Sequence, residues 1–223
     1  METLQSREEI TEAFRTALDR FGALVRPLTD EQLATPTRCD GWTVGDVAGH
    51  YIGSIAEIAA GNLEGQGTPA VTKRQAEDRR GWTAAQLADE LAQASIGMNA
   101  LADAINDEMW NGPAGGGLEM TLGRGVEALL FDAAVHADDI DVALNLGHHP
   151  NGEELLGAVS HVAWMLDRDG KHLTLALDGV PEVEVGDGGD RITGNPGQFV
   201  LAATGRGNPA DFGQDATLNV FRL

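Results

Sequence analysis

Several features of common protein classes are scarce in this chain of 223 residues. Its one cysteine, Cys39, excludes an internal disulfide and fits a reducing compartment. No run approaches the eighteen or so apolar residues that a membrane span needs, and the first residues lack the basic start and apolar segment of a secretory signal. We therefore expect a soluble protein of the cytoplasm with no membrane partner.

Positive charge is scarce as well. The sequence has fifteen basic and thirty-five acidic residues, which gives a formal net charge of −20. Such a charge repels phosphate backbones and anionic lipid surfaces, so nucleic acid is not an expected partner. The 42% of hydrophobic residues is ordinary for a globular protein and is enough for a sizeable core. A small-molecule substrate fits these limits, and we expect a monomer or a homodimer.

Apolar residues recur at helical spacing in four segments of the first two-thirds of the chain. These segments are residues 7–25, 44–58, 84–105 and 124–144, and capping patterns at Thr43 and Thr83 precede two of them. Gly147 and Pro150 mark the end of the fourth. The pattern predicts a four-helix bundle over residues 1–150, with residues 63–81 as a connection that holds at most a short helix.

The chain changes character after Pro150. A helix is predicted over residues 153–166, followed by short alternating runs at 173–177 and 183–185 that predict strands. Residues 196–203 predict another helix, and residues 216–220 a last strand. Residues 151–223 are therefore predicted to form a small α+β domain, and the whole chain to be mainly α.

Three polar residues on the fourth predicted helix point to a metal site. Asp132, His136 and Asp139 are separated by four and three residues, which places them along one helical face beside the apolar stripe. Carboxylates and imidazoles are costly to bury unless they are paired or bind a metal, and helical bundles hold ions between facing helices. His50, beside the stripe of the second helix, is the natural third ligand.

Two imidazoles and one carboxylate suit zinc, with nickel or ferrous iron as the other choices. Asp139 then either orients a ligand histidine through a hydrogen bond or is a carboxylate of the helix surface. The same spacing also fits solvated aspartates and histidines that are only hydrogen-bonded. Spacing alone does not decide between these interpretations.

Two motifs carry a resemblance to a known family. Residues 39–50 (CDGWTVGDVAGH) resemble the start of the second helix in the DinB-like, mycothiol-dependent maleylpyruvate isomerase family. Residues 132–139 (DAAVHADD) are similar to its later helix, which carries an acidic residue, three intervening positions and a histidine. Residues 192–196 (ITGNP) and 203–206 (ATGR) resemble its C-terminal domain. The family has glutamate where this chain has Asp132.

The resemblance implies a DinB-like bundle with a divalent metal on His50, Asp132 and His136, and mycothiol or a similar thiol as cosubstrate. It implies an enzyme that performs cis-trans isomerisation or thiol S-transfer on a small electrophile. A non-catalytic metal-binding module, for ligand sensing or protein interaction on the same fold, is the alternative.

The remaining candidates are arginines that would bind an anionic group of the substrate or thiol. Arg79, Arg80 and Arg206 are predicted for this role because a guanidinium offers a planar fork of donors. Cys39 is interpreted as structural, because it precedes a helix cap and has no base beside it in sequence. The adjacent pair His148 and His149 is expected to interact with the carbonyl end of the fourth helix.

Overall fold

Helices make up most of the structure, a computed structural model that describes residues 3–147 and 152–221. The α-helices of the described residues are α1 (Arg7–Val25), α2 (Asp30–Leu33), α3 (Val44–Ala59), α4 (Pro69–Asp78), α5 (Ala84–Ala104), α6 (Asp107–Asn111), α7 (Leu122–Leu144), α8 (Gly152–Arg168) and α9 (Pro196–Ala203). The strands are β1 (Leu173–Leu177), β2 (Val183–Val185) and β3 (Asp190–Gly194). Two 3-10 turns, Pro209–Phe212 and Ala216–Leu218, follow α9. No helix of the described residues is long and apolar enough to cross a membrane.

Side-chain caps determine where the helices begin. Each of four helices begins with a capping residue whose side chain accepts a hydrogen bond from a backbone N–H of the first turn, and whose own backbone N–H donates to the polar side chain three residues later; these residues are Ser6, Thr29, Thr43 and Thr83. These capping boxes satisfy donors that a helix start would otherwise leave unpaired. The starts of α3 and α5 are the two that the sequence patterns predicted.

The four long helices of the first two-thirds enclose one apolar core. Helix α1 packs against α5 and α7, and α3 packs against the same two helices. Phe21 of α1 and Tyr51 of α3 meet inside it with ring centroids 4.4 Å apart, and both are buried. The stripes that predicted the helices are therefore the surfaces that they bury.

A second core lies on the other side of α7. Phe131, Ala134 and Val135 of α7 pack there with α8, the sheet and α9. The sheet has the order β2-β1-β3, with β1 antiparallel to β2 and parallel to β3. Helix α7 is thus covered on two faces, and the site described below lies on the part of it that faces α3.

The structure confirms a mainly helical chain with a small mixed region near the C-terminus. The strand predicted over residues 216–220 is wrong. Asp215 accepts a hydrogen bond from the backbone N–H of Thr217 and caps a 3-10 turn over Ala216–Leu218. Strand β3 was not predicted, and the connection at 63–81 contains the ten-residue helix α4. His148, His149 and Pro150 lie outside the described residues, and the domain division at residue 150 stays a prediction.

Candidate metal centre

His50 is brought to the site by the start of α3. Thr43 caps this helix together with Asp46, which sets the helix phase so that His50 lies on the buried face almost two turns later. The ring of Trp42 packs edge-on against the imidazole with centroids 5.5 Å apart. The ring is thus held between a tryptophan and the facing helix α7.

Asp132 and His136 come from the middle of α7, one turn apart. The His136 Nε2 atom lies 3.3 Å from Asp132 Oδ1, and the His50 Nε2 atom lies 3.6 Å from Asp132 Oδ2. One ligand atom from each of the three residues lies within 4.8 Å of the other two. The three residues predicted as metal ligands are therefore brought together.

These separations suit a small divalent ion. Two ligand atoms that bind a tetrahedral zinc at the usual bond length are about 3.3 Å apart. Each histidine uses its Nδ1 atom elsewhere: His136 Nδ1 is 2.9 Å from Asp139 Oδ2, and His50 Nδ1 is 3.0 Å from Gln75 Oε1. Both Nε2 atoms are directed at Asp132, so the donor set and its orientation fit zinc or a similar ion.

The site is buried but reachable. The side chain of His50 is 9% exposed and that of His136 is 10% exposed, whereas that of Asp132 is 27% exposed. A bound ion would therefore have its accessible side near Asp132. That exposure gives solvent access to the Asp132 carboxylate.

Burial and charge act in opposite directions on the ligands. Burial would raise the pKa of the Asp132 carboxyl, but the neighbouring His136 and His50 hold it at about 2. Burial lowers the pKa of His50. Burial also opposes the charged form of His136, but the carboxylates of Asp132 and Asp139 outweigh it and raise its pKa well above the usual range. A metal that binds at His136 would therefore have to displace a proton from it.

Asp139 is the centre of an ion-pair cluster next to the three ligands. It is fully buried and accepts hydrogen bonds from His136 Nδ1, from Arg38 Nε at 2.7 Å, and from Arg206 Nε and Nη2 at 2.8 Å each. The Cys39 thiol donates to the same carboxylate at 3.1 Å. Burial would raise the pKa of Asp139, but Arg206 and His136 hold it far below its usual range. Asp139 is therefore not a carboxylate of the helix surface; it contacts His136, and its role in orienting a metal ligand stays a prediction.

A second group of donor atoms, from Cys39, His136 and Asp139, also lies within 4.8 Å. Its carboxylate is already paired with two guanidinium groups, those of Arg38 and Arg206. A divalent cation at this place would meet two fixed positive charges. Of the two groups in the described part of the chain, we therefore favour His50, Asp132 and His136 as the metal site.

The three predicted arginines lie in different places. Arg206 reaches the site and lies with Nη2 3.8 Å from Cys39 Sγ. Arg79 is buried behind α3 and pairs with Glu90 of α5. Arg80 is largely exposed and donates to Asp46 at the start of α3. Anion binding by these arginines stays a prediction; Arg206 shares a carboxylate with His136, and burial and, to a smaller extent, the charge of Arg79 lower the pKa of His50.

Sequence reasoning missed three contributors to the site. Arg38 and Gln75 lie in segments interpreted as connections, and the contact of Cys39 with Asp139 joins residues 100 positions apart. The position of Arg38 directly before the motif of residues 39–50 was the one available signal. Nothing in the local sequence indicates that Gln75 contacts His50.

Comparisons with known proteins identify a family for more than half of the chain and a shared fold for most of it. The family described as the mycothiol maleylpyruvate isomerase N-terminal domain matches residues 14–141. A crystal structure of the mycothiol-dependent maleylpyruvate isomerase matches with a TM-score of 0.65 and 14% identity over 93% of each chain. A histidine-to-alanine mutant of that isomerase matches with a TM-score of 0.64 and 13% identity, also over 93% of each chain. No curated protein sequence matches the chain. At these identities the two structures establish a shared fold.

Proposed function

Since the chain belongs to the family of the mycothiol maleylpyruvate isomerase N-terminal domain, we propose that it is a metal-dependent enzyme whose cosubstrate is a low-molecular-weight thiol such as mycothiol. The observation that supports this most directly is the convergence of His50, Asp132 and His136 on one point. Zinc is the proposed metal, ahead of nickel or ferrous iron, because two imidazoles and a carboxylate form a common zinc donor set.

A divalent ion held by these three residues would lower the pKa of a thiol in contact with it, which makes thiolate available at neutral pH. The protein groups around it set the local charge. Arg38 and Arg206 pair with Asp138 and Asp139. When both imidazoles are neutral, as metal binding requires, these two guanidinium groups and the carboxylates of Asp132, Asp138 and Asp139 sum to one negative charge. After a divalent cation binds, the local charge becomes positive and favours an anionic thiolate.

The proposed reaction begins with the thiolate sulfur forming a bond to an electron-poor carbon of the substrate. The electron pair of the attacked double bond moves onto the neighbouring activating group. Rotation about the resulting single bond, followed by expulsion of the thiolate, gives cis-trans isomerisation. If a proton is taken up instead, or a leaving group departs, the sulfur stays and the reaction is thiol S-transfer.

Arg206 is the proposed contact for an anionic group of the thiol or substrate. Its side chain is 15% exposed, and its guanidinium lies beside Cys39 and is held in place by two hydrogen bonds to Asp139. Asp139 raises the pKa of Arg206 more than burial lowers it, so the positive charge is constant. Arg79 pairs with Glu90 and Arg80 with Asp46, neither of which belongs to the proposed ligand set, so their proposed contribution is smaller.

The test combines metal analysis with two thiol-dependent assays on protein purified without chelator or metal-affinity resin. We expect about one zinc per chain, because three convergent ligands define one site. We also expect mycothiol-dependent turnover with either maleylpyruvate or a chloronitrobenzene acceptor. The variant His50→Ala should lose both metal and turnover. Full metal occupancy without turnover in either assay would favour a non-catalytic metal-binding module instead.

A further inference from the structure

Gln75 of α4 makes a direct contact with a proposed metal ligand. Its side chain is almost completely buried, and its Oε1 atom lies 3.0 Å from Nδ1 of His50. Helix α4 packs against α3, which brings this amide to the back of the imidazole, away from Asp132. The contact decides which nitrogen of His50 carries the proton, provided that the orientation of the amide is known.

Glu57 establishes that orientation. The Nε2 atom of Gln75 lies 2.9 Å from Oε2 of Glu57 and 3.0 Å from Oε1 of Gln66. A carboxylate can only accept, so the NH₂ group of Gln75 must be the part that faces Glu57. Its carbonyl oxygen must then face His50. The amide of Gln66 supports the same orientation of Gln75: its NH₂ group also donates to Glu57, at 2.9 Å, so its Oε1 atom is the one left to accept from Gln75.

The Glu57 carboxylate is kept in its charged form by a salt bridge at the protein surface. Arg74 donates to both of its oxygens, at 2.8 and 3.0 Å. Burial raises the pKa of Glu57, but Arg74 and the two glutamine amides outweigh it and lower the pKa below its usual value. The hydrogen bonds therefore converge on Glu57: Arg74 donates to it from the surface and Gln75 donates to it from the interior, which leaves the Gln75 carbonyl oxygen to accept from His50.

We infer that Gln75 is a positioning residue that holds His50 in the tautomer with the proton on Nδ1, and that Glu57 acts through Gln75 to fix that choice. The inference rests on the proposed function in one respect, namely that His50 Nε2 binds a metal. With the proton on Nδ1, the Nε2 lone pair is directed at the point shared with Asp132. The other tautomer would place a hydrogen there and block the metal.

Glu57 thus acts on the tautomer of His50 through two successive hydrogen bonds, one between Glu57 and Gln75 and one between Gln75 and His50. If Glu57 is replaced by glutamine, the partner of Gln75 can donate as well as accept, and the amide of Gln75 is free to turn. Its NH₂ group would then face His50 and favour the blocking tautomer. Residues that orient ligand histidines in this way affect metal affinity by about 10- to 100-fold.

The experiment measures the His50 tautomer in the metal-free protein by nitrogen-15 NMR of the imidazole rings, and zinc affinity by competition with a chelator. We expect the Nδ1–H tautomer in the wild type. Gln75→Leu should give a mixture of tautomers and about a 10- to 100-fold loss of zinc affinity. Glu57→Gln should change both quantities in the same direction by a smaller amount. Gln5→Leu, which replaces a buried glutamine beside α8, is the matched control and should leave both unchanged.

An Nε2–H tautomer in the metal-free wild type would overturn the inference, and so would wild-type zinc affinity in Gln75→Leu. If that variant does not fold, Glu57→Gln decides, because its side chain is partly exposed and the replacement has the same size. Zinc binding without thiol-dependent turnover would count against the proposed function alone. Failure of the wild type to bind zinc would also count against that function, and the tautomer measurement would still decide the role of Gln75.

Discussion

The imidazole rings of His50 and His136 lie edge to face, with centroids 5.2 Å apart and ring planes at 89°. In this arrangement the two Nε2 atoms approach the same carboxylate, one at each oxygen of Asp132. The two Nδ1 atoms point away from it, to an amide on one side and a carboxylate on the other. This relationship is the one that the proposed ligand set requires.

Replacement of Asp132 tests whether it is a metal ligand. Asp132→Ala removes the only carboxylate of the proposed set and should abolish zinc occupancy in purified protein. Asp132→Glu keeps charge and ligand type and has the side chain that the family resemblance implies at this position, so it should retain most of the zinc. Elemental analysis of both variants beside the wild type measures this. Equal zinc occupancy in the wild type and in Asp132→Ala would instead favour the group of Cys39, His136 and Asp139 as the metal site.

Asp139 should matter for both stability and metal affinity. Asp139→Asn removes a buried charge and leaves Arg38 and Arg206 without their shared partner, which costs about 3–5 kcal/mol for buried pairs of this kind. The asparagine can also turn its NH₂ group toward His136 Nδ1, so zinc affinity should fall as well. Urea unfolding and chelator competition measure the two effects.

Asp138→Asn is the matched control, because Asp138 pairs with the outer part of Arg38 and is partly exposed. Its cost should be within about 1 kcal/mol, as for other exposed ion pairs. Similar losses in the two variants would contradict the special position of Asp139.

Gly53 lets the side chain of Arg79 lie directly against α3. A Cβ atom at Gly53 would come within 2.5 Å of Arg79 Nη1 and 3.0 Å of Gln75 Cβ. Glycine to alanine in a helix usually adds about 1 kcal/mol of stability. Here the opposite sign is expected, because Arg79 would have to leave Glu90. Gly53→Ala should lower both the melting temperature and zinc affinity.

Gly97→Ala in α5 provides the comparison, since its Cβ would meet only ordinary contacts at 3.4 Å. This variant should be as stable as the wild type or more so. A stabilised Gly53→Ala would show that Arg79 moves at little cost.

Asp46 should make part of the stability depend on acid pH. Burial raises the pKa of its carboxyl, but bonds from the Thr43 backbone and Arg80 outweigh it, and the pKa is lowered. A lowered pKa in the folded state means that the stabilisation is complete above the unfolded value of about 3.9 and is lost as the pH falls below it. Asp46→Asn should therefore be less stable than the wild type at neutral pH and should converge with it at low pH. Unfolding free energies between pH 7 and pH 3 measure the difference, and a constant gap would contradict this account.

Much of this fold follows from local sequence. Apolar spacing indicated the four long helices, and Thr43 and Thr83 marked two of their starts, because capping and amphipathicity depend on near neighbours. The approach of His50 to Asp132 and His136 was also predictable, since all three lie beside stripes that must face a common core. The strand predicted at 216–220 failed because alternation over five residues is weak, and the cap at Asp215 outweighed it.

The rest of the site depends on long-range packing. Gln75 contacts His50 because α4 folds back on α3, and no periodic pattern in residues 63–81 indicates that arrangement. Cys39 and Arg38 meet Asp139 across about 100 residues of chain. Such contacts have no signature in a single sequence, because neither partner is unusual in its own neighbourhood.

The pairing of Asp139 also has a consequence for the order in which the protein is made. Arg38 precedes Asp139 by 101 residues, and Arg206 follows it by 67. A ribosome therefore releases the first guanidinium before the carboxylate, and the second long after α7 has left the exit tunnel. Until then the nascent chain carries a carboxylate with half of its counter-charge, and burial of such a group is costly. Asp139 therefore gains its full counter-charge, and the cluster around it is complete, only after Arg206 has been translated.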